Sequence, residues 1–97
     1  DVESRVCDVL ADYAEVCGEV LREGIRINLA LSQDQLARDL AVNRRSLVRA
    51  LATLRAEKLI DKIEARYILY NTAELRRRGS GTLGLQHRLD SRNSGSG

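Results

Sequence analysis

The chain has 97 residues, enough for one small domain, and a net charge of +2. Phe, Trp and Met are absent, so Leu, Val, Ile and Ala must form the core; Pro is also absent, which favours uninterrupted helices. No signal peptide and no bilayer-length apolar run is present, so we expect a cytoplasmic protein without a membrane partner.

The charge is distributed unevenly along the chain. Residues 1–24 contain seven acidic and two basic residues, whereas residues 25–60 contain seven basic and three acidic residues. A basic middle segment indicates an anionic partner more clearly than the small net charge does.

The first element is a helix. Apolar residues recur every three or four positions from Val2 to Val20, and Gly24 is expected to end the helix. The spacing also fits a coiled-coil seam between two copies, but Leu10 and Leu21 widen the stripe, which favours packing on the domain's own core. Cys7 and Cys17 lie about 15 Å apart on this helix, too far for a disulfide.

A short strand and a short helix follow. Ile25, Ile27 and Leu29 alternate with polar residues, as in a strand. Ser32 and Gln35 then match a capping box, which predicts a helix of about eight residues.

The next helix carries the basic charge. Asn43 is a suitable N-cap, and the helix is predicted over about residues 44–58. Its apolar stripe consists of Leu47, Ala50, Leu51 and Leu54. Arg44, Arg45 and Arg49 lie off the stripe, and none has an acidic residue four positions later to neutralise it. These arginines therefore indicate a negatively charged partner.

The remaining sequence predicts a hairpin, a last helix and a tail. Two short strands flank a turn near Glu64–Ala65, and Asn71 caps a helix that ends in glycine. Residues 79–97 contain nine Gly or Ser and are interpreted as a flexible linker, a cloning scar or a grafted peptide. His87 lies in this tail and is interpreted as a solvated side chain. Residues 1–78 form the predicted domain, and the start at Asp1 without Met suggests a fragment or a processed chain.

The order of these elements predicts a fold. A short helix, a tight turn, a second helix and a hairpin together indicate a winged helix-turn-helix: mainly α, with a three-helix core and a small β-hairpin as the wing. In that architecture the second helix enters the major groove of DNA, and residues near its N-terminus contact base edges.

The residue types suit this role. The planar fork of Arg matches O6 and N7 of guanine, and polar residues at a helix start can bind phosphate. The candidate DNA-binding residues are Ser32, Gln33, Asn43, Arg44, Arg45, Ser46, Arg49 and Arg66.

From about Arg5 to Arg78 the chain resembles the C-terminal DNA-binding domain of the cyclic-AMP receptor protein and fumarate–nitrate reductase regulator family of bacterial transcription factors. The resemblance is most specific over Leu31–Ile60, where LSQDQLA, NRRSLVRAL and LRAEKLI occur in the family's order and spacing. It implies binding to a palindromic promoter site as a homodimer. It also implies that an effector-sensing domain and a long dimer helix lie upstream of this chain.

The resemblance also assigns positions. The family's two recognition arginines fall on Arg44 and Arg49, and its serine cap falls on Asn43. Arg45 stands where the family commonly has an acidic residue, so the base preference there should differ. Ala41 stands where the family has a turn glycine.

The wing differs from the family as well. Its turn is Glu64–Ala65 rather than glycine, and the acidic side chain would repel phosphate. Arg66 and Lys62 are therefore the candidate wing contacts.

Two functions other than DNA binding also fit the sequence. The arginines could instead pair with carboxylates of an acidic protein partner, or the domain could serve as a scaffold that displays the tail peptide. An enzyme is not expected, because residues 1–78 contain no His and no glycine-rich phosphate loop. We expect no cofactor, metal or small-molecule ligand in this fragment.

Overall fold

The computed structural model describes residues 1–79, which form four helices and four short strands. In chain order these are α1 (Val2–Cys17), β1 (Gly18–Val20), β2 (Ile25–Ile27), α2 (Gln33–Leu40), α3 (Arg44–Ala56), β3 (Ile60–Ile63), β4 (Arg66–Leu69) and α4 (Thr72–Arg78). The α2–turn–α3 unit and the β3–β4 hairpin confirm the predicted winged helix-turn-helix. The tail beyond Gly79, including His87, lies outside the residues that the structure describes, so its interpretation stays a prediction.

Helix α1 is shorter than predicted, because it ends at Cys17 rather than at Gly24. Gly18 leaves the helix with φ −88° and ψ 153°. A Cβ there would lie 2.1 Å from the Ala14 carbonyl oxygen and 2.6 Å from Cγ2 of Ile25, so only glycine permits this close approach. The valine periodicity continued past the true end, and Val20 is a strand residue that is 81% exposed.

The four strands form one antiparallel sheet in the order β1-β2-β4-β3. The predicted hairpin is the β3–β4 pair, with Ile60 opposite Leu69. The sequence did not predict that β2 pairs with β4, with Ile25 also opposite Leu69, or that β1 extends the sheet. The wing is therefore anchored to the body of the domain by a continuous sheet.

The core lies between the four helices and the inner face of the sheet. Its largest fully buried side chains are Tyr67, Leu10, Ile27, Leu36, Leu47, Leu54, Ile60, Leu69, Leu75, Val6 and Cys7. Burial raises the pKa of the Cys7 thiol to about 11. Both Cys7 and Cys17 are free thiols, in agreement with their predicted separation on one helix.

Helix α3 ends two residues before the predicted boundary at residue 58. Lys58 has a φ of 60°, so it cannot continue a right-handed helix. The amide of Lys58 donates to the Arg55 carbonyl oxygen at 2.9 Å, and the amide of Leu59 donates to the Leu54 carbonyl oxygen at 3.0 Å. These two bonds close the helix in the manner of a Schellman motif.

Three further non-glycine residues occupy the left-handed region at turns that position the site. Ala41, between α2 and α3, has φ 55° and ψ 45°, and its amide donates to carbonyl oxygens of the last turn of α2. Glu64 and Ala65 have φ values of 52° and 68°, the combination of a type I′ hairpin turn. At these turns Ala and Glu occupy backbone conformations that glycine adopts more easily. Ala41 does so at the position where the family has a turn glycine.

Candidate DNA interface

The N-termini of α2 and α3 lie close together, and a polar side chain caps each of them. The Ser32 hydroxyl accepts a hydrogen bond from the amide of Gln35 at 3.0 Å, and Oδ1 of Asn43 accepts one from the amide of Ser46 at 2.8 Å. Arg44, at the start of α3, reaches Gln33 at the start of α2. A side-chain contact thus links the two helix starts, and the partial positive charge of each helix N-terminus favours an anion such as phosphate.

One face of α3 holds the helix on the domain and the opposite face is exposed. The buried residues are those of the predicted stripe, Leu47, Ala50, Leu51 and Leu54. The exposed residues are Arg44, Arg45, Val48, Arg49, Ala52, Thr53, Arg55 and Ala56. The N-terminal half of the exposed face contains all three predicted arginines.

Arg44 has partners that the sequence analysis missed. Its Nε and Nη2 each lie 3.3 Å from Oε1 of Gln33, and its Nη1 lies 3.4 Å from Oδ1 of Asp34. The expectation that no acidic residue four positions later on the same helix neutralises these arginines holds, but Arg44 has an acidic neighbour on another helix. That expectation considered acids one turn away on the same helix, whereas Asp34 reaches across the helix-turn-helix.

Arg45 and Arg49 differ from Arg44. Within residues 1–79, neither guanidinium has a carboxylate at ion-pair distance. By contrast, Arg76 on α4 lies 2.7 Å from carboxylate oxygens of both Asp12 and Glu15. Arg45 and Arg49 are one turn apart, so like charges stand side by side on α3, an arrangement that costs free energy unless an anion binds.

Ser46 and Arg49 also line a cleft between α3 and the start of α1. The cleft has a volume of about 470 Å³ and is lined by Asp1, Val2, Glu3, Ser46, Arg49, Ala50 and Thr53. The Asp1 carboxylate is engaged in capping α1, through a 2.7 Å bond from the amide of Ser4. Arg49 thus lines this cleft while its side chain stays exposed.

Val48 is a surface residue that the sequence analysis did not include among the contacts. Its side chain is 40% exposed, and it lies one turn after Arg44 and directly before Arg49. An apolar side chain in such a position can contact the methyl group of thymine. The signal was present in the sequence, since Val48 is the one large apolar residue of the helix that lies off its stripe.

The wing presents Arg66 more openly than Lys62. Arg66 is exposed and begins β4 directly after the turn. The Lys62 ammonium lies 5.1 Å from the centre of the Tyr67 ring, so this residue packs along the hairpin. Of the two wing candidates, Arg66 is the one at the tip.

No cluster of three or more residues suited to hold a metal ion occurs in residues 1–79. In the same part of the chain, none of the helices combines the length and the apolar character needed to cross a membrane.

Comparisons with known proteins identify the relatives of this chain. The family model of the Crp-like helix-turn-helix domain matches residues 4–78. A search of the curated proteins gave no match.

Solved structures show the same architecture. A CRP-family transcriptional regulator from Thermus thermophilus superposes with a TM-score of 0.68 at 28% identity, covering 80% of this chain and 40% of that chain. Ligand-free reduced CprK gives a TM-score of 0.75 at 22% identity, with coverages of 81% and 38%. The CO-dependent transcription factor CooA from Carboxydothermus hydrogenoformans gives 0.77 at 20% identity, with coverages of 82% and 37%. This chain therefore spans about two fifths of the length of these structures.

The family match covers every helix and strand except the first residues of α1. A transcription-factor domain of this family also agrees with the expectation that the chain is not an enzyme. This chain belongs to the family of Crp-like helix-turn-helix domains, and it is a DNA-binding module of the kind found in transcription regulators.

Proposed function

We propose that this chain binds double-stranded DNA in a sequence-specific manner, as the DNA-binding domain of a bacterial transcription regulator. The N-terminal half of α3 enters the major groove. The observation that carries the proposal is the exposed pair Arg45 and Arg49, which lie in the N-terminal half of α3 and lack carboxylate partners within residues 1–79.

The residues take different roles at this interface. Arg44, Arg45 and Arg49 contact base edges, because a guanidinium can donate two hydrogen bonds to O6 and N7 of guanine. Ser32 and Gln33 contact phosphate and set the position of the domain along the groove. The Ser32 oxygen is used in capping, but its hydroxyl proton is still a donor.

Two further residues support the α3 contact. Asn43 keeps its side-chain NH₂ for the DNA backbone, since its oxygen caps α3. Ser46 lies one residue beyond Arg45 and offers a hydroxyl at the same helix end. Arg66 reaches a neighbouring phosphate from the wing.

The expected energetics favour a dimer. Each good bidentate arginine–guanine pair discriminates by about 1–3 kcal/mol, and phosphate contacts add a salt-dependent term. A single small module buries little surface, so one domain alone should bind weakly. We propose that the complete regulator is a homodimer that binds a palindromic site and that its effector is sensed outside residues 1–97.

The test is a fluorescence-anisotropy titration with duplex DNA selected from a random pool and with a scrambled duplex of equal composition. We expect tighter binding to the selected duplex, with affinity falling as salt rises. Arg49→Ala should lower the preference, whereas Arg55→Ala, on the same helix but paired with Asp61 at 3.8 Å, should leave it unchanged. Equal, negligible binding to both duplexes at low salt would refute DNA binding and favour an acidic protein partner for Arg45 and Arg49.

A further inference from the structure

Arg44 differs from its two neighbours in being held by α2. Oε1 of Gln33 lies 3.3 Å from both Nε and Nη2 of the guanidinium, and Oδ1 of Asp34 lies 3.4 Å from Nη1. All three nitrogens of Arg44 are thus contacted by two consecutive residues at the start of the other helix.

These contacts leave donors for DNA. A guanidinium has five N–H groups, of which one on Nε and one on Nη2 donate to Gln33, while Nη1 lies beside Asp34 as an ion pair. At least one N–H on each terminal nitrogen remains. Two parallel donors are what a bidentate bond to O6 and N7 of guanine requires.

The contacts have little value as stabilising interactions. The Arg44 and Asp34 side chains are 62% and 66% exposed, and ion pairs at such exposure contribute little to folding. Asp34 also places a negative charge beside a surface that meets phosphate, which opposes nonspecific binding. In the first turn of α2 Asp34 stabilises the helix through the helix dipole, but that effect does not require the contact with Arg44, which therefore needs another role.

We propose that Gln33 and Asp34 are positioning residues that fix the guanidinium of Arg44 for one guanine. This inference rests on the proposed function and adds a pair of specificity residues to it, of which Asp34 was not among the predicted contacts. Holding the side chain before binding reduces the conformational freedom lost in the complex. It also disfavours other orientations, in which Arg44 would bind phosphate without reading a base.

The experiment measures discrimination rather than affinity. Each guanine of the selected duplex is replaced in turn by 7-deazaguanine, which lacks the N7 acceptor, and the ratio of the two Kd values is determined by anisotropy. Among the guanines whose replacement weakens wild-type binding, we expect one at which the loss is about tenfold and is abolished by Arg44→Ala.

Gln33→Ala and Asp34→Ala should each reduce this ratio to about threefold or less, on the order of half of the wild-type discrimination in free energy. Asp34→Ala should at the same time bind the scrambled duplex more tightly, because a charge that repels phosphate is removed. Asp34→Glu, which keeps the carboxylate, should restore most of the ratio. Asp61→Asn, at the comparable exposed pair with Arg55, is the matched control and should change neither quantity.

If Gln33→Ala and Asp34→Ala acted only on the stability of the fold, they would weaken binding equally to the guanine and the 7-deazaguanine duplex. The ratio of these two Kd values would then be unchanged, and the proposal would be overturned. The same conclusion would follow if Gln33→Ala or Asp34→Ala still altered the ratio in an Arg44→Ala background, since the residues would then not act through Arg44. If the wild type prefers the selected duplex but shows no dependence on any guanine N7, the proposal fails while the proposed function stands. Absence of any sequence preference in the wild type would overturn both.

Discussion

The turn between α2 and α3 offers a direct test of how backbone conformation limits the stability of this domain. Ala41 is exposed, and its φ of 55° and ψ of 45° lie in the left-handed region. An L-residue there costs roughly 1–2 kcal/mol, which glycine avoids because it has no Cβ. Glycine also gives the unfolded chain more freedom, which offsets about 0.4–1 kcal/mol of that gain. Ala41→Gly should therefore stabilise the domain by about 0.5–1 kcal/mol.

The measurements are urea unfolding, which gives the free energy of unfolding, and thermal unfolding, which gives Tm, both followed by circular dichroism on residues 1–97 of both proteins. A gain of about 1 kcal/mol corresponds to a rise in Tm of about 4–8 °C for a domain of this size. Ala52→Gly is the matched control, since Ala52 is exposed in the interior of α3 and the same substitution should destabilise by about 1 kcal/mol. If Ala41→Gly also destabilised the domain, the assignment of strain to this turn would be wrong.

Three further outcomes are expected. Replacing one thymine of the selected duplex by deoxyuridine should weaken wild-type binding about fourfold, from about 0.8 kcal/mol for one methyl group, and Val48→Ala should remove that dependence; unchanged dependence in the variant would exclude Val48 as the contact. Combining Glu64→Asn with Ala65→Gly should raise the free energy of unfolding by about 1–2 kcal/mol, because this pair suits a type I′ turn, and no gain in thermal unfolding would count against the turn assignment. Hydrogen bonds from Arg77 and Arg78 lower the pKa of Glu74 from 4.5 to about 2, so its stabilising effect is fully present above about pH 4.5 and is lost as the pH falls through about 2. Glu74→Gln should unfold more easily than the wild type at pH 7, and the difference should be much smaller at pH 2. An equal difference at both pH values would contradict this linkage.

Local signals in the sequence were sufficient for the helix-turn-helix itself. Ser32 and Asn43 cap the helices that they were predicted to cap, because an N-cap acts through neighbouring amides only. The α3 stripe was correct for a similar reason, since helical periodicity directly determines which residues share a face.

Features that depend on distant residues were not predicted. The end of α1 at Cys17 depends on Gly18 fitting between Ala14 and Ile25, and Ile25 lies on another element. Pairing of β2 with β4 brings together segments more than 40 residues apart, for which the sequence contains no local signal.

The candidate site likewise combines features that neighbouring residues determine with a contact that depends on residues far apart in the sequence. Arg44, Arg45 and Arg49 were identified from charge and spacing, but the contact of Arg44 with Asp34 requires knowledge of how α2 and α3 are oriented. Their roles in DNA binding stay predictions, as do those of Ser32, Gln33 and Arg66.

The most direct test of the central claim is the sequence preference of the Arg44→Ala/Arg49→Ala variant. Its Kd values for the selected and scrambled duplexes would be measured by anisotropy at two salt concentrations, beside the wild type. If the start of α3 reads bases, the wild type should prefer the selected duplex, and the double variant should lose most of that preference while keeping a reduced salt dependence. A double variant that retained the wild-type preference would show that sequence is read elsewhere, and the assignment of α3 as the recognition helix would be wrong.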